Sequence, residues 1–452
     1  MTAGDRLVVC ADVGSTYTKA MLVDVTGGEL ITSADHPTTV DSDVLHGLDA
    51  AVAALGADAR GVPVRACSSA GGGLRLAVVG YESLVTAEAG HRVGLSAGSK
   101  VVHVAAGPLT GTGVRELLTA RPDILLLVGG TDGGDDEVLR HNASRLASSR
   151  LRAPVVLAGN AEARDEVAAV LAGRGKTVLP AENVLPRIGE LNPLAARTAI
   201  REVFLRHVIG GKRLSAGPRF GQLVRGATPD VVLTAVELLA DRTGLQVAVV
   251  DVGGATTDVY SVLTPDAEAD GPRREVAGTL WRSRTVEGDL GMRWSAPGVV
   301  AAAEAEGLLA GHELSDLSGY ARRRAADPGS NPATAGEHAA DHRLACLAIT
   351  VALRRHARGE RIGGRTGPRR GGRDLRDLEL VIGSGGVLRH EEPGAARALL
   401  AGAVTDHAGG WPLPVAARYT VDHRYVLAAA GLLAGDHPDA AAGLLRQAFQ
   451  VG

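Results

Sequence analysis

Two stretches of this 452-residue chain carry residue types suited to holding phosphate. They are residues 7–24, LVVCADVGSTYTKAMLVD, and residues 247–263, VAVVDVGGATTDVYSVL. Each opens on an apolar run that reads as a buried strand and ends in an aspartate, Asp12 or Asp251. A small-residue turn follows: Val13, Gly14, Ser15 and Thr16 in the first, Gly253, Gly254, Ala255, Thr256 and Thr257 in the second. A second apolar strand then returns, over 19–23 and over 259–262, so each stretch reads as a β-hairpin with an amide-rich tip. A glycine without a Cβ lets the backbone approach a ligand closely. Successive N–H groups in a turn form an anion-binding concavity. Ser15, Thr16 and Thr18 add hydroxyl donors. A carboxylate repels phosphate, so the chemistry open to Asp12 is to hold Mg²⁺ through water, since that ion keeps several waters and takes one or two carboxylates. Lys19 reads either as a phosphate contact or as an outward-facing hairpin lysine.

A single Asp-x-Gly hairpin is often only a tight turn. Two of them, ADVGSTYTKAML and VDVGGATTDVYS, lie about half a chain apart, which indicates two related halves rather than short repeats. Tips that each head a half can face one another across a cleft and hold one phosphate chain. A third stretch, LELVIGSGGVL at 378–388, runs a strand into Gly383, Ser384, Gly385 and Gly386. Glycines there would let a flat adenine and its ribose lie against backbone.

The elements that must position these tips read as strands and helices in alternation. Residues 43–55, with Val44, Leu48, Val52 and Leu55 on one face, predict an amphipathic helix. Residues 62–68 predict a strand, followed at 70–73 by a glycine run that is either a close-approach loop or a plain turn. A strand over 74–79, a helix over 84–90 and a strand over 100–105 come next. Residues 123–128, DILLLV, run into a glycine loop and the acids Asp135, Asp136 and Glu137, then a helix over 138–146. Those acids count against phosphate at this loop and suit a helix N-terminus. With a strand over 154–158 and a helix over 161–171, the alternation across 123–190 favours a parallel or mixed sheet. Helices are expected over 193–208 and from Thr228, where Pro229 sits just inside the start. Residues 285–293 read as a polar loop, 297–309 as a helix, 322–337 as a linker or surface loop, and 342–356 as a long helix. Residues 359–376 read as a basic Arg/Gly loop, solvated or facing an acidic partner, and 423–433 as the closing helix.

Composition narrows the function. Hydrophobic residues make up 45% and charged residues 22%, enough for two or three domains around a large core. A net charge of −3 gives no basis for attraction to nucleic acid or an anionic membrane. Aromatics at 3% argue against base-stacking platforms. Cys10, Cys67 and Cys346 are far apart and form no C-x-x-C, which leaves no zinc or iron–sulfur signature and reads as thiols in a reducing cytoplasm. Residues 1–10 lack the apolar core of a signal peptide, and no apolar run reaches membrane-spanning length.

The three motifs, in this order and at whole-domain spacing, resemble the superfamily of actin, sugar kinases and Hsp70-type ATPases. That resemblance implies an α/β, actin-like ATPase fold: two related halves, each a mixed sheet flanked by helices, with a nucleotide in the cleft between them. The halves would be residues 1–240, with an inserted α/β segment, and residues 241–452. A narrower resemblance covers nearly the whole chain. DVGSTYTKA, SSAGGGLRLAVVG, LLLVGGTDGGDDEVLRHNA, NVLPRIGELNP, DVGGATTDVYSV and IGSGGVLRH together look like the glutamate mutase accessory family, of GlmL or MutL type.

The resemblance implies an accessory or reactivating ATPase for an adenosylcobalamin-dependent mutase, of glutamate mutase or aminomutase type. ATP or ADP with Mg²⁺ is the implied cofactor and the mutase the implied protein partner. Asp12 and Asp251 would hold hydrated Mg²⁺. Gly14, Ser15, Thr16 and Lys19, with Gly253, Gly254, Ala255 and Thr256, would hold the phosphates. Gly383, Gly385 and Gly386 would hold the adenosine, and Asp251 or Asp258 would orient the attacking water. The alternative is a small-molecule kinase of the same fold. A radical-dehydratase activator would need a bridging iron–sulfur cluster, which these cysteines do not support, and intact motifs argue against a non-hydrolysing scaffold.

Overall fold

The structure, a computed structural model, describes residues 6–70, 74–82, 86–97, 99–208, 214–264, 281–361, 369–370, 372–405 and 410–451. The chain divides into two compact units. One is built chiefly from Met1–Val23 and Ile31–Leu233, the other from Asp24–Leu30, Thr234–Thr264 and Arg284–Gly452.

The first unit holds strands β1 (Leu7–Val13), β2 (Tyr17–Asp24), β3 (Glu29–Pro37), β4 (Val64–Ser68), β5 (Leu74–Gly80), β6 (Ser99–Ala106), β7 (Ile124–Leu127), β8 (Val155–Leu157), β9 (Val178–Pro180) and β10 (Val224–Ala227). Its helices are α1 (Val44–Ala54), α2 (Thr86–Ser96), α3 (Gly111–Ala120), α4 (Glu137–Ala147), α5 (Arg164–Ala172), α6 (Leu194–Val203), α7 (Arg219–Leu223) and the start of α8 (Thr228–Thr243). Ten strands make two sheets. The first has the order β3-β2-β1-β4-β10, with β4 parallel to both β1 and β10. Three residues join β1 to β2, a connection that only an antiparallel pair can make. The second sheet, β6-β5-β7-β8-β9, is parallel throughout.

That parallel sheet is inserted between β4 and β10, and it forms because its strands are apolar on both faces. Leu76, Val78, Ile124, Leu126 and Val156 enter one core, which they share with Ala11 and Val13 of β1 and with Val44 and Leu48 of α1. Their neighbours Ala77, Val79, Leu125, Leu127, Val155 and Leu157 enter another core, against α4 and α5 through Leu139, Leu146, Val167 and Leu171. Each fully buried Leu or Val contributes about 1.5–3 kcal/mol. The first core ties the inserted sheet to β1, the strand that carries Asp12.

The second unit carries β11 (Val247–Val252), β12 (Thr257–Val262), β13 (Arg282–Glu287), β14 (Leu380–Ser384) and β15 (Arg418–Val421). They form one sheet, β13-β12-β11-β14-β15. β12 is antiparallel to β11, β14 is parallel to β11, and β15 is parallel to β14. Its helices are α9 (Ala296–Ala305), α10 (Gly311–Ala326), α11 (Ala335–Arg358), α12 (Gly386–Arg389), α13 (Pro393–Val404), α14 (Val426–Leu433) and α15 (Pro438–Phe449). Both units therefore repeat one strand order, third-second-first-fourth-fifth, with the hairpin at its centre and the fourth and fifth strands parallel to the first. This is the two-half, mixed α/β arrangement expected of the actin-like ATPase class.

Several local expectations change. The polar loop expected at 285–293 begins as strand β13, because its polar side chains are buried and paired rather than solvated: Arg284 faces Asp258, and Thr285 bonds His356. The linker expected at 322–337 begins inside α10, whose Leu317, Tyr320, Ala321 and Arg324 are buried. Helix α15 follows the helix expected to close the chain. The helix expected over 193–208 is α-helical to Val203 and continues as a π-helical turn, Phe204–Val208. The glycine run at 71–73 and most of the basic loop, 362–368 and 371, lie outside the described residues.

Candidate functional site

In the first unit the tip residues Gly14, Ser15 and Thr16 follow the end of central strand β1. The turn closes with Gly14 N donating to the Tyr17 carbonyl at 3.1 Å. A Cβ on Gly14 would lie 2.7 Å from that carbonyl oxygen and 3.3 Å from Lys19 Nζ, so the close turn needs glycine. The carbonyls on either side are taken: Val13 O accepts from Ser69 N and Ala70 N, and Thr16 O from Thr38 N. Among the described residues the N–H groups of Ser15 and Thr16 have no such acceptor, and Ser15 is exposed. Thr18 is not part of the tip's donor set; it is buried and shares a hydrogen bond with Thr38 Oγ1.

Asp12 is the penultimate residue of β1 and only 5% exposed. Both carboxylate oxygens are engaged. Lys19 Nζ donates to Oδ2 at 3.2 Å, so Lys19 turns inward onto the tip. Thr228 Oγ1 donates to Oδ1 at 2.6 Å, and the Cys67 thiol points at the same oxygen from 3.6 Å. Burial, with Asp12 alongside, pushes the Cys67 thiol well above its ordinary value, so it stays protonated as a weak donor. Neither Thr228 nor Cys67 was legible as a neighbour of Asp12. The one available signal was that both lie at the carboxyl ends of strands parallel to β1.

The second unit repeats the design. Asp251 is again the penultimate residue of the central strand, β11. Gly253 N donates to the Thr256 carbonyl at 2.9 Å, the counterpart of the Gly14–Tyr17 bond. The tip's carbonyls are taken from behind: Met292 N bonds Gly253 O, Arg293 N bonds Gly254 O, and Ser295 Oγ bonds Ala255 O. Gly291 permits this backing, since a Cβ there would lie 2.4 Å from the Ala255 carbonyl carbon. The N–H groups of Gly254 and Ala255 keep no acceptor among the described residues. Thr256 is half-buried, whereas Thr257 is fully buried and donates to Leu290 O.

Asp258 lies directly opposite Asp251 in the β11–β12 register, so the two side chains share one face of the sheet. Burial raises the Asp258 carboxyl above the usual range, and Arg284 at 3.1 Å opposes that rise. Arg284 is itself buried and also lies over the Tyr260 ring.

The glycine turn joins the second tip through the parallel pairing of β14 with β11, which sets Ser384 beside Asp251. Gly383 is a packing position, since a Cβ would sit 2.7 Å from Leu388 Cδ1. Gly385 has φ +103, and a Cβ would lie 2.2 Å from Val252 O. Gly386 is different. It is exposed, and a Cβ there would meet nothing within 4 Å. Gly385 thus makes room for the end of β11, while Gly386 faces open space.

Each unit thus carries one hairpin with an aspartate near the end of its central strand, in a sheet of the same strand order. The MutL protein family model matches residues 8–449, and the chain belongs to that family. It is 36% identical to Protein MutL of Clostridium tetanomorphum over 456 residues, 96% of this chain and 97% of that protein. Among solved structures, nucleotide-free acetone carboxylase matches 95% of this chain and 70% of its own at 15% identity and a TM-score of 0.41. The ADPNP-bound activator of 2-hydroxyisocaproyl-CoA dehydratase from Clostridium difficile matches 96% and 95% at 9% identity and a TM-score of 0.29. Among the described residues no helix is long and apolar enough to cross a membrane.

Proposed function

We propose that this chain binds and hydrolyses ATP in the cytoplasm as an accessory protein that reactivates an adenosylcobalamin-dependent mutase of the glutamate mutase or aminomutase type. Family membership supports the accessory role. The observation that carries nucleotide binding is the repeat: Asp12 and Asp251 are each penultimate in a central strand and are followed by the same turn-closing hydrogen bond. The residues fit a polyphosphate. Each tip has two N–H groups without an acceptor among the described residues, while the carbonyls flanking the first tip and those of Gly253, Gly254 and Ala255 in the second are occupied, an arrangement that suits an anion-binding concavity.

In this reading Gly14, Ser15, Thr16 and Lys19 of the first unit, and Gly253, Gly254, Ala255 and Thr256 of the second, hold phosphate oxygens. Lys19 supplies a fixed positive charge beside Gly14. Asp12 and Asp251 are the residues that would hold hydrated Mg²⁺, which when bound offsets negative charge on the transferring phosphoryl group. Gly386, with its open surroundings, receives the adenosine beside Gly383 and Gly385. Asp258 pairs with Arg284, and Asp251 or Asp258 would orient the attacking water. Nucleotide-dependent change in shape would then act on the mutase, since a ligand shifts a conformational equilibrium by its differential affinity.

The test is calorimetry of the purified chain with ATP and ADP, with and without Mg²⁺, followed by recovery of an inactivated cobalamin mutase mixed with the chain and ATP. Saturable nucleotide binding and ATP-dependent recovery are expected. Absence of nucleotide binding refutes the reading. Phosphoryl transfer from ATP to a small-molecule acceptor, with ADP and the phosphorylated acceptor as products, would make the chain a kinase of this fold.

A further inference from the structure

We propose that Thr228 is a positioning residue that sets the orientation of the Asp12 carboxylate and ties it to helix α8; this rests on the reading of Asp12 as a nucleotide-site carboxylate. Three parallel strands bring the groups together. Asp12 of β1 pairs with Cys67 of β4, and Cys67 pairs with Gly226 of β10, so the carboxyl ends of the three strands lie level. Thr228 is the first residue after β10 and the first of α8. Its hydroxyl donates to Asp12 Oδ1 at 2.6 Å while Lys19 Nζ holds Oδ2 from the other strand of the hairpin.

A carboxylate held by one donor can still rotate about its Cβ–Cγ bond. With a donor on each oxygen its plane is set, and the remaining lone pairs point in fixed directions. The Cys67 thiol, a weak donor at 3.6 Å, cannot replace the hydroxyl. Helix α8 also carries the chain from one unit into the other, because Leu233 ends the first and Thr234 resumes the second. The Asp12–Thr228 bond therefore joins the carboxylate to the covalent connection between the units. Its positive N-terminal end favours a negative charge at that place.

The test compares ADP affinity in EDTA with ADP affinity in excess Mg²⁺ for the wild-type chain, Thr228→Val, Thr228→Ser and Asp12→Asn. The expected result is an unchanged EDTA affinity for Thr228→Val, with about a tenfold or greater loss of the gain that Mg²⁺ gives, as for a hydrogen bond to a charged group. Thr228→Ser should restore most of that gain. Hydrogen exchange at the α8 amides should slow on Mg·ADP binding in the wild type and in Thr228→Ser, but not in Thr228→Val. Loss of the gain in Asp12→Asn with a full gain in Thr228→Val overturns the proposal and leaves the functional reading standing. Equal losses with and without Mg²⁺, unrescued by serine, reduce Thr228 to a structural role and also overturn it. A wild-type chain that binds no nucleotide overturns both.

Discussion

Replacing Gly385 by alanine should damage the second unit, whereas the same change one residue later should not. Gly385 has φ +103 and ψ 160, a region essentially reserved for glycine, and placing alanine there costs about 1–3 kcal/mol. The new Cβ would also lie 2.2 Å from Val252 O and 2.8 Å from Val252 C. Those atoms are backbone at the end of the central strand, so no rotamer change relieves the overlap. The two costs together should reach about 3 kcal/mol or more, a large part of a typical stability of about 5–15 kcal/mol. Gly386 meets nothing within 4 Å and begins a helix. Alanine there should leave stability unchanged or raise it by up to about 1 kcal/mol. The assay is urea unfolding followed by circular dichroism, with ADP titration of each folded variant. Gly386→Val should remain folded and lose ADP and ATP affinity alike, because the shared adenosine contact is blocked. A wild-type midpoint for Gly385→Ala would refute the close-approach reasoning. Normal ADP affinity for Gly386→Val would refute the adenosine assignment.

Further outcomes follow from the buried charges. Arg284→Met leaves Asp258 buried and uncompensated, and chemical unfolding should show a loss of about 3–5 kcal/mol, partly recovered by adding Asp258→Asn. His356 is buried between Ser261 and Thr285, and burial, aided by Arg373, pushes its pKa down to about 3. The unfolded chain takes up this proton near the ordinary 6.5, so stability should fall as pH drops below that value, by about 2 kcal/mol between pH 6.5 and 5. His356→Gln should flatten that slope in unfolding curves measured across the range, and an unchanged slope would refute the assignment. Thr334→Ala removes the capping box that opens α11 and should cost about 1 kcal/mol in the same assay.

Local order determined what could be read without the structure. The strands that carry Asp12 and Asp251 as their penultimate residues are short apolar runs followed by glycine, and the hairpins need only residues adjacent in the chain. Their spacing by half a chain indicated two halves, and the alternation after residue 123 indicated a parallel or mixed sheet, which is parallel throughout. Four features depended on distant pairing. The inserted sheet begins earlier, at Leu74, because β5 does not join β4 in the first sheet but pairs between β6 and β7 in another. Strand β13 hid behind polar residues, since burying Arg284 and Thr285 requires Asp258 and His356, which are far away in sequence. Lys19 could face either way until Asp12 was seen to hold it. Thr228 lies 216 residues from Asp12, and only the adjacency of three parallel strand ends brings them within hydrogen-bonding distance. The sequence alone located the two tips, to within Val13, which ends β1, and Thr257, which begins β12. Tertiary structure decided which groups orient their carboxylates, because a periodicity or a turn signal encodes neighbours along the chain, while a charge partner is set by which strands lie side by side.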